Sequence, residues 1–335
     1  MLNKEVNPND KDFIKLIQSY QNKISLLRKE ISKVVVGQET VVNSLIEALI
    51  SNGHCLVEGV PGIAKTVLVR TMSQVTSCQF ARIQFTPDLL PTDITGITVY
   101  EEQKGFYTLK GPVFNNFILA DEINRAPPKV QSSLLEAMQE KQVTIGKVTY
   151  PLPVPFFVMA TQNPIETLGT YPLPEAQVDR FLYKILMGYP SMDDETKILH
   201  QNINLNKFED FGLKQILTQK DILTMQEDAK KIYLDRKIEK YIVKITDATR
   251  NPEQYKIISG KYIEYGGSPR ANINMFIASK AHALLNGRTF VTPNDIKEIA
   301  HNVLRHRIIL NYEGQAEEIK TDRIIDEILS KVPIV

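Results

Sequence analysis

The sequence predicts an α/β core with a parallel sheet and two β-hairpins, followed by an all-α domain. Apolar runs of strand length alternate with helical patterns through the first 190 residues. Two of these runs, at 117–120 and 156–161, are almost wholly apolar, which is typical of parallel strands covered on both faces. Beyond them, strand-like runs largely disappear and helical spacing continues. We therefore predict two domains, 1–190 and 191–335.

Composition restricts the class of protein. The chain has 335 residues, a net charge of +1 and two cysteines, Cys55 and Cys78, which is typical of a globular protein in a reducing compartment. No stretch of about 18 apolar residues occurs, and the N-terminus is polar, so we expect a cytoplasmic protein without membrane insertion. The near-neutral charge makes a nucleic-acid partner unlikely.

The elements follow from the pattern of apolar residues. We predict helices at 10–33 and 40–50, a strand at 55–57, a loop at 59–66 leading into a helix, and a strand at 80–85. Residues 86–96 should be irregular, because proline, aspartate and threonine are frequent there. Further predicted elements are hairpins at 97–109 and 143–150, helices at 128–139 and 175–179, a strand at 181–186, and helices at 195–199, 221–232, 237–249, 271–285 and 293–304.

The loop at 59–66 differs from the phosphate-binding pattern G-x-x-x-x-G-K-[ST] only at Ala64, where glycine is expected. Backbone N–H groups of such a loop, with the positive end of the following helix, form an anion site. Lys65 would reach the β- and γ-phosphates of a nucleotide, and the Thr66 hydroxyl would bind Mg²⁺. An ordinary glycine and proline turn is the alternative. The candidate nucleotide contacts here are Gly59, Val60, Pro61, Gly62, Ile63, Ala64, Lys65, Thr66 and Val67.

A short turn upstream of this loop is a second candidate contact. Val36, Gly37 and Gln38 lie between the first two helices, where backbone hydrogen bonds and apolar contact could hold an adenine base. A simple connection between helices is the alternative.

Polar residues follow two of the apolar strands. Asp121 and Glu122 end the run at 117–120, and Asn163 follows the run at 156–161. The carboxyl ends of parallel strands are where such sheets bind ligands. Asp121 could hold a metal ion, Glu122 could orient or deprotonate a water, and Asn163 could hold that water and a phosphate oxygen. Asn163 could also be only a turn residue before Pro164.

Four segments together resemble the MoxR branch of the AAA+ ATPases. They read GVPGIAKT at 59–66, LADEINRAPPKVQ at 119–131, ATQNP at 160–164 and GSPRA at 267–271. The resemblance covers about residues 36–307, and the segment at 121–131 is specific to that branch. That family often carries alanine at the position of Ala64.

The resemblance implies roles for individual residues. Residues 59–66 would correspond to Walker A, Asp121 and Glu122 to Walker B, Asn163 to sensor 1 and Arg270 to sensor 2. Arg180 resembles the arginine finger that acts on a neighbouring subunit's ATP. From the residues alone, Arg180 could instead pair with a surface carboxylate, and Arg125 could be either a second such contact or simply solvated.

The resemblance also implies an activity. The expected fold is a P-loop αβα core with a helical lid, the cofactors are ATP and Mg²⁺, and the active form is a homo-oligomeric ring, expected to be a hexamer. Its role would be chaperone-like remodelling, maturation or assembly of client proteins, with von Willebrand factor A (VWA) domain proteins as typical partners. The alternatives are a nucleotide-gated scaffold with little turnover and a motor stimulated by nucleic acid.

Overall fold

The structure is a computed structural model that describes residues 6–60, 62, 64–103, 105–164, 169–202 and 208–334. Its main element is a five-stranded sheet with strand order β2-β5-β8-β1-β9. These strands are β1 (Cys55–Gly59), β2 (Phe80–Gln84), β5 (Phe117–Asp121), β8 (Phe157–Gln162) and β9 (Tyr183–Met187). The smaller strand pairs are β3 (Gly96–Glu101) with β4 (Gly105–Lys110), β6 (Gln142–Ile145) with β7 (Val148–Pro151), and β10 (Ile263–Tyr265) with β11 (Ile309–Leu310).

Thirteen α-helices lie within the described residues. They are α1 (Lys11–Ile31), α2 (Glu39–Ile50), α3 (Lys65–Val75), α4 (Pro91–Thr95), α5 (Pro128–Glu140), α6 (Glu175–Val178), α7 (Met192–Asn202), α8 (Gln219–Lys231), α9 (Arg236–Arg250), α10 (Pro269–Leu285), α11 (Pro293–Leu304), α12 (Tyr312–Ala316) and α13 (Thr321–Lys331). In the described part of the chain, none of them is long and apolar enough to cross a bilayer.

The central strands are buried because they are apolar on both faces. The first four residues of β5 and the first five of β8 are all buried, as the prediction of covered parallel strands requires. Strand β5 pairs in parallel with β2 and β8, and β8 with β1. In this register Asp121 lies beside Gln84, so the carboxyl ends of β5 and β2 lie next to each other at the same end of the sheet. The predicted α/β fold is confirmed.

The two predicted hairpins are also confirmed. Strands β3 and β4 pair antiparallel, as do β6 and β7. Lys104, between β3 and β4 in the sequence, lies outside the described residues.

Some short elements differ from the prediction. The expected irregular stretch 86–96 contains α4, which starts with Pro91 and is stabilised because the Asp93 carboxylate accepts a hydrogen bond of 2.8 Å from the Leu90 N–H. The C-terminal part was expected to be all helical, yet it contains the short pair β10–β11. The sequence pattern also missed α12 and α13.

The described chain divides into two compact units. One comprises the residues up to Ile24, Leu182–Lys184 and the chain from Thr224 onward, and contains α9–α13. The other comprises Ser25–Phe181 and Ile185–Leu223. The second unit contains strands β1 to β8 and a continuous apolar core under the sheet, which includes Ile118, Leu134 and Val158. The division into domains 1–190 and 191–335 stays a prediction.

Candidate functional site

The glycine-rich loop connects β1 to α3, as predicted. Gly62 and Ala64 both adopt left-handed backbone conformations, with φ of +83° and +61°. Loops rich in such left-handed residues are typical of anion sites built from backbone N–H groups. The Lys65 Nζ donates a 2.5 Å hydrogen bond to the Gly59 carbonyl, so the side chain folds back across the loop. Pro61 and Ile63 lie outside the described residues.

The residues that follow the loop begin α3. Thr66 and Val67 are half-buried in its first turn, where unsatisfied backbone N–H groups favour an anion. Burial lowers the pKa of Lys65, while the nearby charges of Asp121, Glu122 and Glu58 act in the opposite direction. The loop lysine therefore lies within electrostatic reach of both predicted Walker B carboxylates.

Asp121 is the last residue of β5, and Glu122 directly follows that strand. Thr161, a buried residue of β8, connects the two. Its hydroxyl donates a 2.7 Å hydrogen bond to Asp121 Oδ1 and accepts one of 2.9 Å from the Glu122 N–H. Glu122 has φ of +56°, a conformation uncommon outside glycine and often found at functional sites. Thr161 thus stabilises the sharp turn that aims Glu122 away from the strand.

The Glu122 carboxylate has two partners on the same oxygen. Gln84 Nε2 donates to Glu122 Oε2 at 2.9 Å, and the Arg125 Nε lies 3.0 Å from that atom. The sequence left Arg125 as either a contact to a neighbouring subunit or a solvated residue. Within this chain, it pairs with the predicted catalytic base.

The Asp121 carboxylate is likewise paired with an arginine side chain. Arg82, on the edge strand β2, donates to Asp121 Oδ2 from Nε at 3.1 Å and from Nη2 at 2.7 Å. The same Nη2 donates to Gln84 Oε1 at 2.6 Å. The two carboxylates at the sheet edge are therefore each neutralised by an arginine, and Gln84 connects the two pairs.

The remaining predicted residues lie on three different elements. Asn163 is buried directly after β8, at the same sheet edge as Asp121. Arg180 is exposed in the turn after α6, where its Nη1 donates to the Leu135 carbonyl at 3.3 Å. Arg270 is an exposed residue of the first turn of α10, after the helix cap formed by Ser268. Arg270 belongs to the C-terminal unit, and the others belong to the unit that contains the loop.

A cavity of about 550 Å³ lies beside the loop, within the range typical of small-molecule sites. Val36 and Gln38 from the predicted turn line it, together with Gly62, Ala64 and Val67. Gln38 Nε2 donates to the Gly188 carbonyl at 3.0 Å and so connects the two sides of the cavity. Gly37, with φ of +72°, lies where a Cβ atom would come within 2.9 Å of Asp194.

The sequence did not identify the opposite wall of this cavity. That wall is mainly apolar and comes from the chain after β9: Tyr189, Pro190, Glu195, Ile198, Leu199, Phe208 and Phe211. The signal that could have found it is the series of large apolar residues that follows β9 in the chain. Arg82, Gln84 and Thr161 were also missed, although their alternate positions on strands could have indicated which side chains share a face.

The donor set fits a magnesium ion with a nucleotide. Mg²⁺ is usually held by one or two protein oxygens together with phosphates and water, and the Thr66 hydroxyl and the Asp121 carboxylate supply such oxygens. Among the described residues, no group of three or more histidine, cysteine or acidic side chains forms a metal cluster. A cavity with an apolar wall, large enough for an adenine ring and next to a loop of the phosphate-binding pattern, fits ATP.

Comparisons with known proteins agree with this geometry. Residues 54–183 match the family model of the ATPase family associated with various cellular activities (AAA), and residues 256–328 match the AAA lid domain. The chain is 50% identical to a candidate ATPase of Cytophaga hutchinsonii whose structure is solved, with a TM-score of 0.89 and coverage of 95% of this chain and 97% of that one.

Curated relatives extend along almost the whole chain. Chaperone MoxR1 of Mycobacterium tuberculosis is 47% identical over 312 residues, which cover 91% of this chain and 80% of that protein. The uncharacterized protein YeaC of Bacillus subtilis is 42% identical, with coverage of 91% and 93%. Protein MoxR of Methylorubrum extorquens is 28% identical, with coverage of 95% and 97%. Because the AAA and lid models match in succession and the similarity to MoxR1 spans both, the chain belongs to the MoxR family of AAA+ ATPases.

Proposed function

We propose that this protein is a Mg²⁺-dependent ATPase that converts ATP and water to ADP and phosphate. The observation that carries the proposal is the group of side chains at the carboxyl edge of the sheet. Asp121 is the last residue of β5, Glu122 follows it, and the charges of both act to raise the pKa of Lys65 at the loop. A cavity with an apolar wall lies beside the loop. Nucleotide hydrolysis needs an anion site for the phosphates, a metal ligand, a general base for the water and a pocket for the adenine ring.

Each residue has a proposed role in this reaction. The backbone of the loop, with Lys65, holds the β- and γ-phosphates, and Thr66 and Asp121 hold Mg²⁺. The metal ion, when bound, neutralises charge on the phosphates. Glu122 accepts a proton from the attacking water, and Asn163 orients that water. The adenine base lies between the turn at Val36–Gln38 and the apolar wall after β9.

Two further arginines support a shared site. Arg180 is exposed in a turn, where a guanidinium can reach another copy of the chain and stabilise charge on its γ-phosphate. Arg270 is proposed to sense the nucleotide from the lid, in cis or in trans. We infer that the active form is a ring, expected to be a hexamer, and that the domains divide near residue 190.

The proposed task of this ring is to remodel or assemble client proteins in the cytoplasm. Support comes from the relative named Chaperone MoxR1, and VWA-domain proteins are the clients that the family resemblance implies. A client VWA protein that stimulates ATP turnover would support this role. Stimulation by DNA instead would favour the motor alternative.

The deciding experiment for the activity compares wild type with Lys65→Ala. We expect wild type to bind a fluorescent ATP analogue and release phosphate, and Lys65→Ala to lose both activities, because the phosphates lose their charged ligand. Lys129→Ala, which removes an exposed lysine of α5, is the matched control and should behave as wild type. Unchanged nucleotide affinity in Lys65→Ala would refute the assignment of the loop.

The shared site has its own test. Arg180→Ala and Glu122→Gln subunits should each be inactive alone, but mixing them creates some interfaces in which an intact Arg180 faces an intact Glu122. We expect partial recovery of phosphate release at intermediate mixing ratios. If no ratio recovers activity, while native mass measurements show mixed oligomers, Arg180 does not act across an interface.

A further inference from the structure

One guanidinium nitrogen of Arg82 has two acceptors. Arg82 Nη2 donates to Asp121 Oδ2 and to Gln84 Oε1, at 2.7 and 2.6 Å. Arg82 and Gln84 are two residues apart on β2 and therefore point to the same side of the sheet. The arginine thus joins the predicted metal ligand to the glutamine that contacts the predicted base.

Arg82 also fixes which way the Gln84 amide faces. An arginine side chain can only donate, so the carbonyl oxygen of Gln84 must face it. The amide nitrogen then faces the other way and donates to Glu122 Oε2 at 2.9 Å. A continuous chain of hydrogen bonds therefore runs from Asp121 through Arg82 and Gln84 to Glu122.

The arginine is the member of this chain that can move. The Arg82 side chain is 48% exposed, whereas that of Asp121 is 15% exposed and is held on its other oxygen by Thr161. A metal ion and a guanidinium on the same Asp121 oxygen would repel each other. Ion pairs as exposed as this one are weak, so Arg82 can leave for solvent at little cost.

We propose that Arg82 is a positioning residue that couples metal binding at Asp121 to the orientation of Glu122 through Gln84. While Arg82 is on Asp121, Gln84 is held with its amide nitrogen towards Glu122. When a metal ion takes Asp121 Oδ2, Arg82 leaves, Gln84 loses the partner that fixes its amide, and Glu122 is no longer held from that side. The inference rests on the proposed function, which assigns the metal ion to Asp121 and the base to Glu122.

The first test measures metal affinity rather than turnover. Protein in excess over a non-hydrolysable ATP analogue is titrated with Mn²⁺, and the unbound Mn²⁺ is followed by electron paramagnetic resonance. Arg82→Gln removes the competing cation, so we expect its dissociation constant for Mn²⁺ to fall by roughly two- to fivefold. An unchanged or higher constant would overturn the proposal.

Arg125→Gln is the matched control for this titration. Arg125 is 40% exposed and pairs with Glu122 rather than Asp121, so its loss removes the same charge nearby without freeing the metal ligand. We expect its effect on the constant to be less than half that of Arg82→Gln. Equal effects would mean general charge repulsion and would overturn the proposal. Failure of wild type to bind the analogue at all would instead contradict the proposed function.

The coupling through Gln84 is tested by a double-mutant cycle on the same Mn²⁺ dissociation constant. If Gln84 helps to hold Arg82 on Asp121, Arg82→Gln should lower the constant less in a Gln84→Leu background than in wild type. If Arg82→Gln lowers the constant equally in both backgrounds, Arg82 acts independently of Gln84 and the coupling is refuted.

Discussion

The two ends of the parallel sheet both carry polar side chains, but they use them differently. At the amino ends of the strands, the buried side chains of His54 and Asn116 bind mainly backbone atoms of neighbouring segments. Asn116 Oδ1 also accepts from the Gln219 side chain at 3.2 Å. At the carboxyl ends, Arg82, Asp121 and Glu122 are charged, partly exposed and paired with other side chains. The polar side chains at the amino ends thus hold neighbouring segments together, whereas those at the carboxyl ends can change partners.

The bonds at the amino ends illustrate the difference. His54 Nδ1 accepts from the Val158 N–H at 3.1 Å, and its Nε2 lies 3.3 Å from the Met138 carbonyl. Asn116 donates to the Pro155 carbonyl at 2.9 Å and accepts from the Gln79 N–H at 3.2 Å. A backbone group cannot leave its hydrogen-bond partner without a change in the fold, whereas an exposed arginine side chain can rotate into solvent. Substitutions at the amino ends should therefore change stability, and those at the carboxyl ends should change activity.

The largest expected effect tests the carboxyl end. Glu122→Gln keeps the shape of the side chain but cannot take a proton, so phosphate release should fall by about 10²-fold or more while ATP still binds. The thermal unfolding midpoint should stay close to that of wild type. Steady-state turnover, analogue titration and thermal unfolding measure the three quantities.

Glu136→Gln is the control for that substitution. Glu136 is an exposed residue of α5, and neutralising it should leave turnover and stability unchanged. A Glu122→Gln protein that turned over at the wild-type rate would show that another group is the base. A large loss of stability would contradict the contrast between the two ends.

The next effect belongs to the amino end. Asn116→Ala leaves the Gln79 N–H and the Pro155 carbonyl without their side-chain partner in a buried position, which should lower the free energy of unfolding by about 2 kcal/mol. Affinity for the ATP analogue should not change. Denaturant unfolding and analogue titration on the same samples make the comparison.

The neighbouring Asn115 offers a matched control. It is only half-buried and donates to the Pro112 carbonyl at 2.9 Å, so Asn115→Ala should cost under about 1 kcal/mol. Equal losses for the two variants would mean that the position of Asn116 at the strand start has no special importance.

The same contrast explains how far the sequence could predict this protein. The strands β5 and β8 were predictable because an apolar run has to be buried, and Asp121 and Glu122 stood out because they end such a run. Arg82 lies on an edge strand with mixed exposure, where the pattern indicates a surface position but not a partner. Its partner Asp121 comes from a different strand, so only the sheet register brings the two together.

The cavity was predictable on one side only. Val36 and Gln38 form a short turn upstream of the loop, so their place in the sequence relative to the motif was enough to predict them. Phe208 and Phe211 line the same cavity, but they follow the last strand of the sheet, where helical spacing indicates a buried face without saying what it covers. The different partners of the polar side chains at the two ends of the sheet likewise became visible only in the hydrogen bonds of the structure.

A pH titration provides a smaller effect at the amino end. Burial, followed by the charge of Lys141, lowers the pKa of His54 to about 4. The folded protein therefore binds this proton less well than the unfolded chain, whose histidine titrates near 6.5. Stability from His54 is fully present above pH 6.5, declines as the pH falls, and levels off below about 4. At pH 5 the loss should be about 2 kcal/mol.

The measurement compares unfolding free energies at pH 7.5 and pH 5 for wild type and His54→Asn. Asparagine does not titrate, so the variant should be less stable at pH 7.5 but show a smaller difference between the two pH values. A wild-type difference that persisted in full in His54→Asn would assign the acid sensitivity to other groups.

The smallest expected effect concerns the phosphate loop, where Ala64, directly before α3, has a backbone conformation that costs stability. Ala64 has φ of +61°, a conformation that glycine adopts without strain and that costs other residues about 1 kcal/mol. Ala64→Gly should relieve this strain but make the unfolded chain more flexible, for a net gain of up to about 0.5 kcal/mol. Val69→Ala, in the buried face of α3, is a reference that should lose stability instead. If Ala64→Gly lost as much stability as Val69→Ala, the left-handed conformation at Ala64 would be wrong. An increase in stability with unchanged turnover would show that strain in this loop serves neither folding nor catalysis.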